Sequence, residues 1–574
     1  MKLNSYRVVF RYYNYIMNNS FFPYSEVRDE QQRIIDTINK NLSKRYFIIE
    51  AGTGVGKSGI AVEAGLSDGK GYIVTDSIQL QNQYNADFSA YLKNMMGKSN
   101  YRCFVKPSLT CATGPCTYSE NGMKQAMSCY KMGHCPYKTA KDEANNSPLF
   151  LTNYAYLIAT ARHDPKFQKR NTIIFDEAHL LEKHLTEQCT IDINIDKLDQ
   201  TFDIMKSALP QELEILKTPL KKLNGAYQQF IDTLSDVCNR QLEQEEKQMK
   251  IITATLFEDR DEKDDVLNSL VSESSQRFYD FQNLCGNLDT YKMSDRDDWI
   301  ESLNETIDSK TQEPVVTLQI RPLKIDWVYK QYLDTAATDH VYFLSATILD
   351  ADLFCETLGL DKDNVCFIRE DSTFDSDMSP IYNIGNCKTN YAALQDTANM
   401  DTIVETVDMI MQIYPNSKGI IHSGNKKISN YLKNKLKSPR LLVNDGTFNN
   451  RDIYEKHISS DQPTVLVSSS MAEGVDLKDD LSRFQIVIKM PFDSLADPRI
   501  KKLTEMNSNW YSCEMMKKFI QQCGRSTRNK EDHCDTFVLD SLFWKYIKTA
   551  KDKNWLPQQF LNRCRNMDGS KPNF

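Results

Sequence analysis

No stretch of eighteen consecutive apolar residues occurs in the 574-residue chain, so the sequence offers no membrane-spanning helix. Met1 to Ser20 is polar and rich in Tyr and Asn, without an apolar h-region or a small-residue cleavage site, and does not read as a secretory signal. No internal repeat of about 20–50 residues stands out, which argues against solenoids and propellers. The fifteen cysteines are scattered except in one cluster, unlike the dense pattern of a secreted disulfide scaffold, and a reducing compartment fits better. A surplus of positive charge is missing too. The formal net charge of −8 argues against wholesale nucleic-acid coating, while leaving room for a local basic channel. With 40% apolar and 26% charged residues, what is present reads as a soluble globular chain, long enough for about three to four domains.

Short β-rich apolar runs followed by turn residues and helical patterns recur, which is the signature of parallel α/β sheets. One set is Tyr46–Ile49, Tyr72–Val74, Thr172–Phe175 and Val341–Leu344; a second is Gly419–Ile421, Thr464–Val467, Gln485–Ile488 and Phe537–Leu539. Between about residues 190 and 325 the character changes to long charged stretches with helix-like apolar spacing and few strand signals, as expected of a helical insertion.

The segment Ala51-Gly52-Thr53-Gly54-Val55-Gly56-Lys57-Ser58 follows a strand and should open a helix, the context a P-loop requires. Gly52, Gly54 and Gly56, with Thr53, let backbone N–H groups approach phosphate oxygens at a helix N-terminus. Lys57 is placed to neutralise the β- and γ-phosphates of ATP and Ser58 to ligate Mg²⁺. Asp176 and Glu177 end an apolar strand in the Walker B arrangement, Asp176 for Mg²⁺ and Glu177 to orient and deprotonate the attacking water. His179 is placed to couple the γ-phosphate state to neighbouring motifs. In Gln521-Gln522-Cys523-Gly524-Arg525-Ser526-Thr527-Arg528 two arginines stand three apart, on one face of a helical turn. They are candidates for arginine fingers.

Together these residues resemble superfamily 2 helicases of the DEAH type, and within them the XPD/DinG family of iron–sulfur helicases, from about Tyr24 to about Leu542. Arg28-Asp29-Glu30-Gln31 looks like the adenine-side motif, with Arg28 and Gln31 (or Gln32) at the nucleotide. Thr75 to Gln83 looks like motif Ia, which touches the DNA backbone. Ser345-Ala346-Thr347 is similar to motif III and His422-Ser423-Gly424 to motif IV. Glu473, Gly474 and Asp476 lie in a motif V-like stretch, and Gln521 opens motif VI. The resemblance implies two RecA-like P-loop helicase domains with an inserted Fe–S domain and a helical Arch domain. The expected boundaries are 1–95, 149–190 and 326–370 for helicase domain 1, 96–148 for the Fe–S domain, 191–325 for the Arch and 371–574 for helicase domain 2.

Five cysteines, Cys103, Cys111, Cys116, Cys129 and Cys135, fall within 33 residues where chance would put about one. Four thiolates suit zinc or an iron–sulfur cluster alike. Spacings of seven, four, twelve and five intervening residues depart from the paired pattern of structural zinc and favour Fe–S, and the resemblance strengthens this. It implies a four-cysteine [4Fe–4S] cluster with Cys103, Cys129 and Cys135 among its ligands; the fourth place falls to Cys116, preceded by Gly114-Pro115, with Cys111 the alternative, and His134 beside Cys135 reads as a surface histidine. Basic and aromatic residues interleave around these cysteines (Tyr101, Arg102, Phe104, Lys106, Tyr130, Lys131, Tyr137 and Lys138 among them), the composition of a single-strand groove.

The expectation is therefore an ATP- and Mg²⁺-dependent DNA helicase, acting on single-stranded and forked DNA in repair or replication with 5′→3′ polarity implied by the resemblance. The alternatives are a translocase, or a regulatory DNA-stimulated ATPase, that separates no strands. A nuclease of the DinG-like kind would need an acidic module for which the residues before Phe21 are too few. The expected setting is the cytoplasm of a bacterial or virus-infected cell, as a monomer that could meet protein partners through the Arch, with no membrane association.

Overall fold

The computed structural model describes residues 21–114, 129, 131–164, 167–256, 265–307, 313–443, 450–469, 477, 479–527 and 531–573. By compactness it divides into two units, one of residues 61–342 and 356–361 with the segment before Tyr24, the other of 24–60, 343–355 and 362–574.

In chain order the strands are β1 (Tyr46–Ala51), β2 (Gly71–Thr75), β3 (Leu92–Asn94), β4 (Leu149–Asn153), β5 (Arg170–Asp176), β6 (Ile191–Ile193), β7 (Trp299–Ile307), β8 (Pro314–Pro322), β9 (Ala337–Ser345) and β10 (Val365–Glu370). They continue with β11 (Ile381–Cys387), β12 (Gly419–His422), β13 (Leu441–Val443), β14 (Val465–Ser468), β15 (Phe484–Val487), β16 (Asp535–Asp540) and β17 (Cys564–Arg565). The first sheet has the order β10-β1-β9-β5-β2-β4-β3, with β9 shared by the two units. Within the first unit β2 pairs in parallel with β5 and β4, and β4 with β3; within the second β1 pairs in parallel with β10. Every residue of β1 and β2 is buried. Such continuous apolar runs, rather than alternating ones, are what strands covered on both faces require.

The second sheet lies wholly in the second unit, with order β13-β14-β12-β15-β16-β11-β17 and parallel pairing from one edge to the other. Its core joins Val465, Val467, Phe484 and Ile486 from the strands to Ile403, Val407 and Ile410 of the helix Thr397–Ile413. On another side Trp510, Met515, Met516 and Phe519 of the helix Ser508–Cys523 meet Phe543 and Phe560. These are two RecA-like α/β domains.

All eight expected strands are present. The insertion after Asp176 is helical as expected, with 29-residue helices at Gln228–Leu256 and Asp265–Met293. It also carries an antiparallel sheet, β6-β8-β7, that its composition concealed. The half-exposed ribbon β7–β8 carries Glu301, Asn304, Glu305 and Arg321 among its apolar residues, so no continuous apolar run marks it. Among the described residues no helix is long and apolar enough to cross a membrane.

Candidate functional site

β1 delivers the chain at Ala51 to a glycine-rich turn, and the helix Lys57–Ser67 starts immediately after it. Gly54 and Gly56 have φ of +89° and +86°, a region that strains any L side chain. A Cβ on Gly54 would stand 2.4 Å from the ring of Phe374, and one on Gly52 2.5 Å from the backbone nitrogen of Ser372, so these two glycines allow a close approach by the segment after β10. Four carbonyls of the turn are engaged by donors. Lys57 Nζ donates to Ala51 O (3.1 Å), Ser372 Oγ to Thr53 O (2.8 Å), Arg28 Nη1 to Gly54 O (2.5 Å) and Gln31 Nε2 to Val55 O (2.9 Å). Gln31 Oε1 also accepts the Arg28 N–H at 3.0 Å. Carbonyl oxygens would repel a phosphate, so tying them to donors suits a turn that presents its amides and the following helix N-terminus to an anion. Ser58 is half-buried at the second position of that helix.

At the end of β5 Asp176 is buried. Its Oδ2 accepts the Tyr84 hydroxyl at 2.8 Å, its Oδ1 accepts the Glu177 N–H at 3.0 Å, and its carbonyl accepts the Tyr154 hydroxyl at 3.0 Å. Burial, then the Asp176 charge, push the Tyr154 phenol well above its ordinary pKa, so it stays a donor. Glu177 has φ +54°, an uncommon conformation for a non-glycine residue and one that clusters at functional sites. Its carboxylate lies 3.3 Å from His179 Nδ1. Tyr84 carries no motif signal, and Tyr154 is marked in the sequence only as part of the Asn153-Tyr154 pair; the fold identifies both as partners of Asp176.

In the second unit Gln521 Nε2 donates to Thr347 Oγ1 at 3.0 Å, and Thr347 N–H donates to Ser345 Oγ at 3.0 Å. The motif VI-like and motif III-like residues therefore touch directly. Arg525 lies beyond the helix Ser508–Cys523 rather than on it, because the helix ends with Gly524 as its cap. Near Arg525, His422 is buried at the end of β12, and burial first, then the Arg525 charge, lower its pKa to about 4. Arg528, Glu473, Gly474 and Asp476 lie outside the described residues.

Cys103, Cys111 and Cys129 are buried and Cys135 is half-buried, as N-cap of the helix Pro136–Asn146. Cys103 N–H donates to Leu109 O (3.0 Å) and Cys111 N–H to Tyr101 O (2.7 Å), closing a tight loop. The Cys111 thiol lies 3.7 Å from Arg102 O, in hydrogen-bonding geometry. A Cβ on Gly114 would lie 3.0 Å from Cys103 Sγ, so Gly114 itself lies close against that sulfur. Cys116 itself lies outside the described residues. The soft, buried donors suit a thiolate-bound cluster in chemistry, but among the described residues no three His, Cys, Asp or Glu side chains converge as a metal-holding group. His134 is exposed and its ring lies 4.5 Å from that of Phe104. Tyr137 is buried and Tyr101 half-buried, their rings 5.7 Å apart, so these two aromatics serve the interior, while Phe104, Lys131 and Lys138 are exposed.

Comparison with known proteins gives a consistent result. A family model described as helicase C-terminal domain matches residues 410–559, and one described as type III restriction enzyme, res subunit, matches residues 24–212. A probable ATP-dependent helicase of Methanocaldococcus jannaschii is 31% identical over 207 residues, 30% of this chain and 31% of that protein. Thus that match spans about a third of the relative's length. The ATP-dependent DNA helicase YoaA of Haemophilus influenzae is 22% identical over 83% of this chain and 84% of its own. Among solved structures, an XPD helicase superposes with TM-score 0.60 at 16% identity, covering 95% of this chain and all of that one. An apo XPD structure gives TM-score 0.55 at 14% identity over 90% of this chain and 98% of that one.

Proposed function

We propose that the chain is an XPD/DinG-like superfamily 2 helicase, a reading supported by the helicase family models, the helicase relatives and the shared fold, and that its residues carry out ATP-dependent DNA unwinding as follows. The observation that carries the reading is the turn after β1, in which four carbonyls are tied back by Lys57, Ser372, Arg28 and Gln31. In this reading ATP phosphates meet the amides of Gly52–Ser58. Lys57 leaves Ala51 O for the β- and γ-phosphates. Ser58 and Asp176 hold Mg²⁺, and Glu177 orients and deprotonates the attacking water. Arg525 and Arg528 contact the γ-phosphate from the second α/β domain. Glu473, Gly474, Asp476 and Gln521 answer its presence, and His179 communicates its loss.

Hydrolysis then lets the two domains alternate their grip and advance single-stranded DNA in the 5′→3′ direction. Domain limits of 96–148 for the cysteine segment and 191–325 for the Arch go with this reading. A [4Fe–4S] cluster on Cys103, Cys116, Cys129 and Cys135 would supply a rigid cross-link to a segment that separates the duplex.

The test is a forked duplex with a 5′ or a 3′ single-stranded tail, offered to the purified full chain with ATP. Unwinding from the 5′ tail alone is expected. DNA-stimulated ATP hydrolysis with no strand separation would favour the translocase or regulatory reading, and cut strands a nuclease. In the same anaerobic preparation, about four irons per chain and a broad shoulder near ~400 nm are expected for the cluster.

A further inference from the structure

Asp176 is reached from the loop after β2 by two separate side-chain routes. The loop begins at Asp76, and Ser77 caps the helix Ile78–Phe88 by accepting the Leu80 N–H at 3.3 Å. The first route starts at Asp76 Oδ1, which lies 2.7 Å from His184 Nε2 on the helix Leu181–Cys189, just beyond the acidic motif. The His184 ring lies almost flat on Tyr154, with centroids 4.6 Å apart and planes 13° apart. Tyr154 is fully buried, stacks near-parallel to Phe175 at 5.8 Å, and donates its hydroxyl to the Asp176 carbonyl at 3.0 Å. The second route runs through the helix that Ser77 caps, where buried Tyr84 donates its hydroxyl to Asp176 Oδ2 at 2.8 Å.

We propose that Asp76, His184, Tyr154 and Tyr84 are positioning residues that tie the loop after β2 to Asp176, to its carboxylate through Tyr84 and to its backbone carbonyl through Tyr154, so that DNA on the loop and the metal-bound nucleotide are felt at one another's sites. The proposal rests on the reading of Asp76–Gln83 as a DNA contact and of Asp176 as a magnesium ligand.

The chemistry suits transmission. The hydrogen bond from His184 holds the Asp76 carboxyl below its usual range, so Asp76 remains an ionised acceptor for that bond at neutral pH. Tyr84 takes one lone pair of a carboxylate whose remaining lone pairs a metal needs, so it sets the orientation of that carboxylate. A movement of the loop pulls on Tyr84 through the helix that Ser77 caps, and on Tyr154 through the Asp76–His184 bond and the ring stack. A tyrosine that merely satisfied its hydroxyl in the core would not make one ligand's affinity depend on the other.

The experiment is the affinity of a fluorescent single-stranded oligonucleotide for the full chain, by anisotropy, with and without magnesium and a non-hydrolysable ATP analogue. Wild type, Tyr84→Phe, His184→Ala and His184→Gln are compared. Wild type should show a nucleotide effect on DNA affinity of about fivefold or more, the usual lower range of such coupling. In Tyr84→Phe and in His184→Ala, each of which removes one of the two routes, that ratio should fall by about twofold or more, with nucleotide-free DNA affinity near wild type. His184→Gln, whose amide nitrogen can stand in for Nε2, should recover part of it. Wild-type ratios in both Tyr84→Phe and His184→Ala would overturn the relay while leaving the proposed function intact. A wild type that binds DNA and nucleotide with no mutual effect would overturn both. If His184→Ala fails to fold, Tyr84→Phe, which removes one oxygen and keeps the ring, decides the matter alone.

Discussion

Acidification should strain the second α/β domain at one identifiable residue, His422. In the fold its pKa falls from the ordinary 6.5 to about 4, first because burial disfavours the imidazolium and second because Arg525 is nearby. Between those two values the unfolded chain binds a proton that the folded chain refuses. Stability is therefore full above pH 6.5 and is lost as pH falls toward 4. A tenfold difference in proton affinity between the two states is worth about 1.4 kcal/mol. At pH 5, where most but not all of the window has been crossed, the loss is about 2 kcal/mol. Because His422 is almost fully buried, solvent screening does not reduce this appreciably. The assay is urea unfolding followed by tryptophan fluorescence at pH 7.5 and pH 5 for wild type and for His422→Gln, which does not titrate. Other groups titrate in both proteins and cancel in the double difference. The variant should lose about 2 kcal/mol less than wild type between the two pH values. Equal losses would refute the burial argument for a neutral His422.

Two further outcomes follow from single side chains. Lys57→Ala should abolish ATP hydrolysis while leaving single-strand DNA binding largely intact, and retained turnover in a steady-state ATPase assay would refute the P-loop assignment. Arg170 is buried, and its guanidinium donates to Ala144 O, Asn145 O, Ser147 O and Pro148 O, closing the C-terminal end of the helix that starts after Cys135. Arg170→Met should cost about 3 kcal/mol by stranding those carbonyls, and hydrogen exchange in residues 136–148 should quicken; unchanged exchange there would contradict the clamp.

Much of this is legible in the linear chain for a local reason. A strand covered on both faces must be apolar throughout, so Tyr46–Ile49 and Thr172–Phe175 announce themselves. Gly54 and Gly56 sit where the backbone takes positive φ, and Lys57 and Ser58 sit where a helix begins. The ribbon β7–β8 escapes a reading by pattern because a half-exposed hairpin needs no continuous apolar run. Tyr84 and His184, and the bond that Tyr154 makes, escape it because an aromatic in a helix has the same local appearance whether it fills a core or holds a polar partner.

The sequence by itself determined the order of parts: a glycine-rich turn before a helix, a cysteine-rich segment, an acidic pair, a charged helical insertion and a second α/β domain. Each depends on residues close along the chain, where spacing alone dictates geometry. Only the tertiary structure decided which donors hold the carbonyls of that turn, with Ser372 arriving from more than 300 positions away. It also decided that two tyrosines converge on Asp176 and that His422 stays neutral beside Arg525. Those outcomes turn on burial and on contacts between distant segments, quantities that exist only once the chain has closed around them.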